Sequence, residues 1–135
     1  MSFLKSTFYK LFIKKEVEES EILNSGLKFA MEFGETWLRP INEKLSKKYP
    51  QLTKTELNYY NGVCTSLRDL GHKFVYDVLE KIENDGKTIE EKLLKSQLST
   101  FVLEKYSWVN RENINHLFSQ SCYYAWREGL TKNMT

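Results

Sequence analysis

The two histidines of this 135-residue chain are the side chains most suited to metal chemistry. A carboxylate one helical turn from a histidine can share a metal ion with it, as in di-metal helical bundles, which need two such pairs. Asp69 lies three residues before His72, and Glu112 lies four residues before His116. On a helical wheel, however, Asp69 falls on the polar side of its segment and His72 on its flank. The pattern favours surface or boundary histidines. Asp69, His72 and His116 are the residues that a metal would use if this interpretation is wrong.

The sequence contains no set of side chains that indicates catalysis. Neither histidine lies beside a plausible nucleophile, and no glycine-rich phosphate loop is present. Cys64 and Cys122 lie on apolar helical stripes without CxxC spacing, which predicts reduced and poorly ionised thiols. A disulfide between them would need touching helices and an oxidising compartment, which no secretory signal indicates. We expect no cofactor and lean against an enzyme; a small-ligand or metal-binding bundle, with or without catalysis, is the alternative.

The last predicted helix carries large side chains on nearly every side. Tyr123, Trp126 and Arg127 are of the residue types that dominate binding hot spots, and they suggest a surface for a partner. The competing interpretation is ordinary packing, which the composition favours, because a chain with 14% aromatic residues must bury many of them. The sequence leaves both interpretations open.

The first fifteen residues describe a short basic amphipathic helix. Phe8 and Phe12 fall on its apolar side, and Lys5 and Lys10 fall on the other. Such an arm could lie on an anionic membrane surface, insert into a groove of a partner, or fold back over the open end of the protein. We therefore count Phe8 and Phe12 with the candidate partner-binding residues.

Local signals define the helices that must position these side chains. Thr53 and Glu56 form a capping box that starts a helix at Lys54, and the turn at residues 85–86 ends it near Asn84. A second capping box, from Thr88 to Glu91, opens the next helix, and the short connection implies antiparallel neighbours. Asn110 can cap the last helix and Gly129 can end it.

The fold predicted from these signals is an all-α, up-and-down bundle of four main helices plus a short N-terminal amphipathic helix. The main helices are expected near residues 20–49, 54–84, 89–107 and 111–129. The first of them keeps one apolar face across Pro40, which predicts a kink there instead of a break. That face includes Phe33, Trp37 and Leu38. An abrupt change from basic to acidic residues separates an arm, 1–15, from a bundle domain, 16–135.

Composition sets only broad limits on function. A net charge of +2 and a pI near 8.4 are well short of what a dedicated nucleic-acid binder carries, so no nucleic-acid partner is expected. No apolar run approaches the length of about 18 residues that a membrane-spanning helix needs. We predict a cytoplasmic, non-catalytic module that binds another protein or itself, with peripheral membrane attachment through residues 1–15 as a further alternative.

Overall fold

The computed structural model describes residues 2–33 and 38–135, and it describes side chains from residue 14 onward within those ranges. These residues form five α-helices and no β-strand. The helices are α1 (Ser2–Ala30), α2 (Asn42–Lys48), α3 (Lys54–Asn84), α4 (Glu91–Lys105) and α5 (Arg111–Arg127). The predicted all-α helical bundle is confirmed. None of the described helices is both long and apolar enough to cross a membrane.

Helix α3 is the centre of the bundle, because it contacts each of the other four helices and packs most extensively against α5. Its start is the predicted capping box: the Thr53 hydroxyl accepts from the Glu56 amide at 3.1 Å, and the Glu56 carboxylate accepts from the Thr53 amide at 2.9 Å. Its end is the predicted turn. Gly86 has a φ of +64°, and the Lys87 amide donates back to the Ile82 carbonyl at 3.0 Å.

Helices α3 and α5 are in close contact where a glycine faces a leucine. A Cβ atom placed on Gly71 would lie 2.7 Å from Cδ2 of Leu117 and 2.9 Å from its Cγ. Leu117 is fully buried, so it has little space in which to move away. The absence of a side chain at residue 71 therefore sets the distance between the two helices.

The prediction of one continuous helix near residues 20–49 is wrong, because the chain leaves helical geometry well before Pro40. Helix α1 ends at Ala30, and α2 begins only at Asn42. Leu38, between them, has a φ of +68°, a value that excludes it from a right-handed helix. Pro40 thus lies in a connection between two helices and does not kink one.

The end of α1 is held by side chains from two other helices. Arg68 of α3 donates from Nη1 to the Ala30 carbonyl at 3.0 Å, and Gln120 of α5 donates from Nε2 to the Met31 carbonyl at 2.8 Å. Carbonyls at a helix C-terminus lack partners within the helix, so these two donors satisfy groups that a longer helix would have used internally. This is the physical reason for the break that the apolar pattern did not reveal.

The segment predicted as a separate N-terminal helix is continuous with α1. The helix runs from Ser2 through the change of charge after Lys15 without interruption. No glycine or proline occurs before Gly26, so nothing in the local sequence ends the helix sooner. The side chains of Phe8 and Phe12 lie outside the described residues, and the division into an arm and a domain stays a prediction.

The prediction of a capping box at Thr88 is also wrong. Helix α4 begins at Glu91, and its N-cap residue, Glu90, makes no side-chain capping bond. Main-chain bonds to the last described residue replace that cap. The Glu91 amide donates to the main-chain oxygen of Thr135 at 3.0 Å, and the Thr135 amide donates to the Ile89 carbonyl at 2.9 Å. A distant segment thus satisfies the first amide of α4, that of Glu91, which the local motif could not indicate.

The predicted ends of the last helix are confirmed. The Asn110 side chain accepts from the Asn113 amide at 2.8 Å, and Gly129, with a φ of +75°, follows the helix end. Asn24 of α1 fastens this N-terminus to the bundle. The Asn24 side-chain nitrogen donates to the Trp108 carbonyl at 2.8 Å, and the Asn24 main-chain oxygen accepts from the side-chain nitrogen of Asn113 at 2.9 Å.

Candidate functional site

Four aromatic side chains form a surface cluster, here called the aromatic patch: Phe33, which follows α1, and Tyr123, Tyr124 and Trp126 of α5. Trp126 is 64% exposed, Phe33 is 55% exposed and Tyr123 is 45% exposed, whereas Tyr124 is half-buried. The ring centroids of Tyr123 lie 5.9 Å from Phe33, 5.6 Å from Tyr124 and 6.1 Å from Trp126. These spacings are those of interacting aromatic pairs, so the patch is contiguous.

The exposure of Phe33 corrects the prediction that it faces inward, and the same holds for Leu38. The apolar pattern of the sequence places both side chains on the inner face of a helix that continues past Ala30. Because α1 ends there, the helical phase that would turn these side chains inward is lost. Trp37, predicted on the same face, lies outside the described residues.

A polar network supports the patch from below. Because the Gln120 amide nitrogen donates to the Met31 carbonyl, its oxygen faces His72 and accepts a hydrogen bond from His72 Nε2 at 2.8 Å. The His72 ring also lies 5.0 Å from the ring of Tyr124. The network therefore holds the end of α1 and Tyr124, the half-buried member of the aromatic patch, in fixed positions relative to each other.

Burial lowers the pKa of His72, and the nearby Arg68 charge acts in the same direction, while the Gln120 hydrogen bond and the Asp69 charge oppose it. We therefore expect a neutral imidazole at pH 7, with its proton on Nε2. Arg68 itself is only 5% exposed, and its Nε donates to the Asp69 carboxylate at 2.9 Å. The buried guanidinium thus pairs with the exposed Asp69 carboxylate and with the Ala30 main-chain carbonyl, and a buried cation requires such partners.

The weak metal candidates do not form a site in the described part of the chain. Asp69 is paired with Arg68, His72 is bonded to Gln120, and His116 is half-buried on α5 without a hydrogen bond to either. Among the described residues, no three His, Cys, Asp or Glu side chains come together where they could hold a metal ion.

Both thiols should be largely protonated at neutral pH. Both are free; burial raises the pKa of Cys64 to about 12, and burial with the charge of Glu91 raises that of Cys122 to about 11. The Cys64 sulfur donates weakly to the Leu23 carbonyl at 3.4 Å. These values fit the prediction of poorly ionised cysteines.

Of the five residues predicted to bind a partner, two lie in the patch. Tyr123 and Trp126 are exposed members of it, and Arg127 is exposed at the end of α5. Arg127 is close enough to act electrostatically on Tyr124: burial raises the pKa of that phenol, and the Arg127 charge opposes the rise. Phe8 and Phe12 cannot be placed, because their side chains lie outside the described residues.

Sequence reasoning missed Phe33 and Arg68 as parts of this region, whereas helical spacing places Gln120 on one stripe with Tyr123 and Arg127. One signal was available for Arg68, which follows Cys64 by one turn and precedes Gly71 by three residues on the apolar stripe of α3. A charged residue at such a position needs buried partners. The sequence offered no comparable signal for Phe33, whose exposure depends on where α1 ends.

Comparison with protein-family models, with curated proteins and with solved structures found nothing that matches this chain.

Proposed function

We propose that this protein is a non-catalytic binding module that recognises another protein, or a second copy of itself, through the aromatic patch. The observation that carries the proposal is the contiguous exposure of Phe33, Tyr123 and Trp126. Large apolar patches are rare on monomeric proteins and mark interaction surfaces. Burying each exposed ring in an interface would contribute on the order of 2 kcal/mol.

The support beneath the patch favours binding without reorganisation. Arg68 and Gln120 hold the end of α1, and Tyr123 and Trp126 project from a helix whose two ends are capped. A surface that is already ordered loses less conformational entropy when a partner binds. Arg127 adds a charged group at the rim, where such groups influence partner choice and association rate.

The test compares a Tyr123→Ala/Trp126→Ala variant with a matched control. Tyr59→Ala serves as the control, because Tyr59 is an exposed tyrosine of α3 that also contacts a second tyrosine ring, Tyr60. Sedimentation velocity of the purified proteins measures self-association, and affinity capture with quantitative mass spectrometry measures binding of other proteins. Urea denaturation of each variant verifies that it folds.

We expect the patch variant to lose association that the wild type and the Tyr59→Ala variant share. If the folded patch variant retains every association of the wild type, the patch is not the binding surface. The two free thiols accord with a reducing compartment, so we propose that the module acts in the cytoplasm.

A further inference from the structure

A groove of about 570 Å³ between α4 and α5 has only positive charges in its lining. Lys92 and Lys95 line it from α4, and Arg111 lines it from the first turn of α5. Its volume lies within the range of small-molecule sites, which is roughly 300–1,000 Å³. It shares no residue with the aromatic patch: Arg111 and Tyr123 are about 18 Å apart along the axis of α5.

Within the described residues, none of the three cations has an ion-pair partner. Glu91 precedes Lys92 directly and Lys95 by one helical turn, and Glu112 follows Arg111. The Glu112 carboxylate lies 4.0 Å from Lys28 Nζ, and Glu91 acts on the Cys122 thiol. Both carboxylates are absent from the lining of the groove. The charged side chains that line the groove are therefore all positive, an arrangement that favours anions.

The rest of the lining combines neutral polar groups with an apolar floor. Ser96, Ser99 and Asn115 contribute two hydroxyls and an amide, all capable of donating hydrogen bonds. Leu103, which is 38% exposed, supplies apolar surface to the groove, and the buried core residues Val109 and Ile114 lie at its base. Cations, hydroxyl donors and an apolar surface in one groove match a ligand that is anionic at one end and apolar at the other.

We propose that this groove binds a phosphate monoester that carries an apolar group. A monoester bears a charge of about −1.5 to −2 at pH 7 and offers three strong acceptor oxygens, enough to engage Lys92, Lys95 and Arg111 together. Two sources supply this chemistry: a soluble phosphorylated molecule, and the headgroup of phosphatidic acid in a membrane.

The test is an ¹⁵N NMR titration of the full chain with phenyl phosphate at low salt. We expect saturable shifts of amides in residues 92–99 and 109–115, weaker binding at high salt, and weaker binding of inorganic phosphate. Lys95→Gln/Arg111→Gln should weaken binding about tenfold or more, because two charge-assisted contacts are lost. Lys54→Gln is the matched control: it removes an exposed lysine from the first turn of α3, which does not line the groove.

Co-sedimentation with vesicles distinguishes the two sources. Binding to phosphatidic acid vesicles but not to phosphatidylcholine vesicles, lost in Lys95→Gln/Arg111→Gln, identifies the lipid source. Phenyl phosphate binding without vesicle binding identifies a soluble ligand. Shifts that do not saturate, or equal weakening by Lys54→Gln, would overturn the proposal. Binding that persists in Tyr123→Ala/Trp126→Ala separates this site from the aromatic patch.

Discussion

Two glycines of α3 provide a direct test of how closely the helices pack. Gly71 faces Leu117, and an added Cβ would lie 2.7 Å from the nearest side-chain atom. Gly62 lies nine residues earlier in the same helix, and no atom would lie within 4 Å of its added Cβ. Alanine substitutions at the two positions therefore make the same chemical change in opposite environments.

The expected magnitudes follow from this geometry. In a helix interior, Gly→Ala raises the free energy of unfolding by about 0.5–1 kcal/mol. Gly62→Ala should show that gain. Gly71→Ala should show the same gain offset by overpacking of about 1–3 kcal/mol, because Leu117 is fully buried and its Cγ, as well as its methyl groups, is too close. The difference between the two variants should thus be about 1–3 kcal/mol.

Urea denaturation followed by circular dichroism measures both variants, with unchanged m-values as the check on two-state behaviour. Leu117→Ala adds a second test. That substitution alone should cost about 2–5 kcal/mol, because it leaves a cavity. Once the leucine is truncated, Gly71→Ala no longer creates a clash, and the double-mutant cycle should give a coupling of about 1–3 kcal/mol. Equal stabilisation by Gly62→Ala and Gly71→Ala, or a coupling near zero, would refute the close approach of α3 and α5.

Three further predictions concern other groups. Thr53→Ala should lower the free energy of unfolding by about 1 kcal/mol through loss of the capping box, and a urea midpoint equal to that of the wild type would contradict it. Burial lowers the folded-state pKa of His72 below its ordinary value of about 6.5, so the unfolded state binds more protons than the folded state. The free energy of unfolding should therefore fall as the pH drops from 7 through the folded-state pKa. His72→Gln should show a smaller loss over that window, and the same loss as in the wild type would count against a buried neutral imidazole. Burial raises the pKa of Cys64 to about 12, and burial with the charge of Glu91 raises the pKa of Cys122 to about 11. Iodoacetamide at pH 8 should therefore label both thiols slowly in native protein and rapidly in urea. Prompt labelling of the native protein, measured by mass spectrometry, would contradict this prediction.

The parts of the fold that could be predicted were those encoded by neighbouring residues. Thr53 with Glu56, and Asn110 with the amide of Asn113, define helix starts within one turn of chain, and both were found. The break after Ala30 depends instead on donors that arrive from α3 and α5. An apolar pattern that continues past such a break indicates which residues are hydrophobic, but it does not indicate where tertiary partners end the helix.

The candidate site was predicted to a similar extent. Tyr123 and Trp126 were identified because their residue types favour binding, but whether they face the core or solvent depends on packing that residue type does not determine. Phe33 was assigned to the wrong face, since its position follows from the end of α1. The groove lined by Lys92, Lys95 and Arg111 combines two helices, and no segment of the chain shows that combination alone.

The side chains that secure α1 also bear on the order in which the protein folds. The bond from Arg68 to Ala30 spans 38 residues, and those from Gln120 to Met31 and from Asn113 to Asn24 span 89. Closing a loop costs entropy that grows with its length, so the α1–α5 bonds cost more to form than the Arg68–Ala30 bond or the Gly71–Leu117 contact of α3 with α5. The bonds between α1 and α5 should therefore form late, after the folding transition state. Substitution of Asn24, whose long-range bonds go to residues 108–113, would then accelerate unfolding and leave the folding rate nearly unchanged.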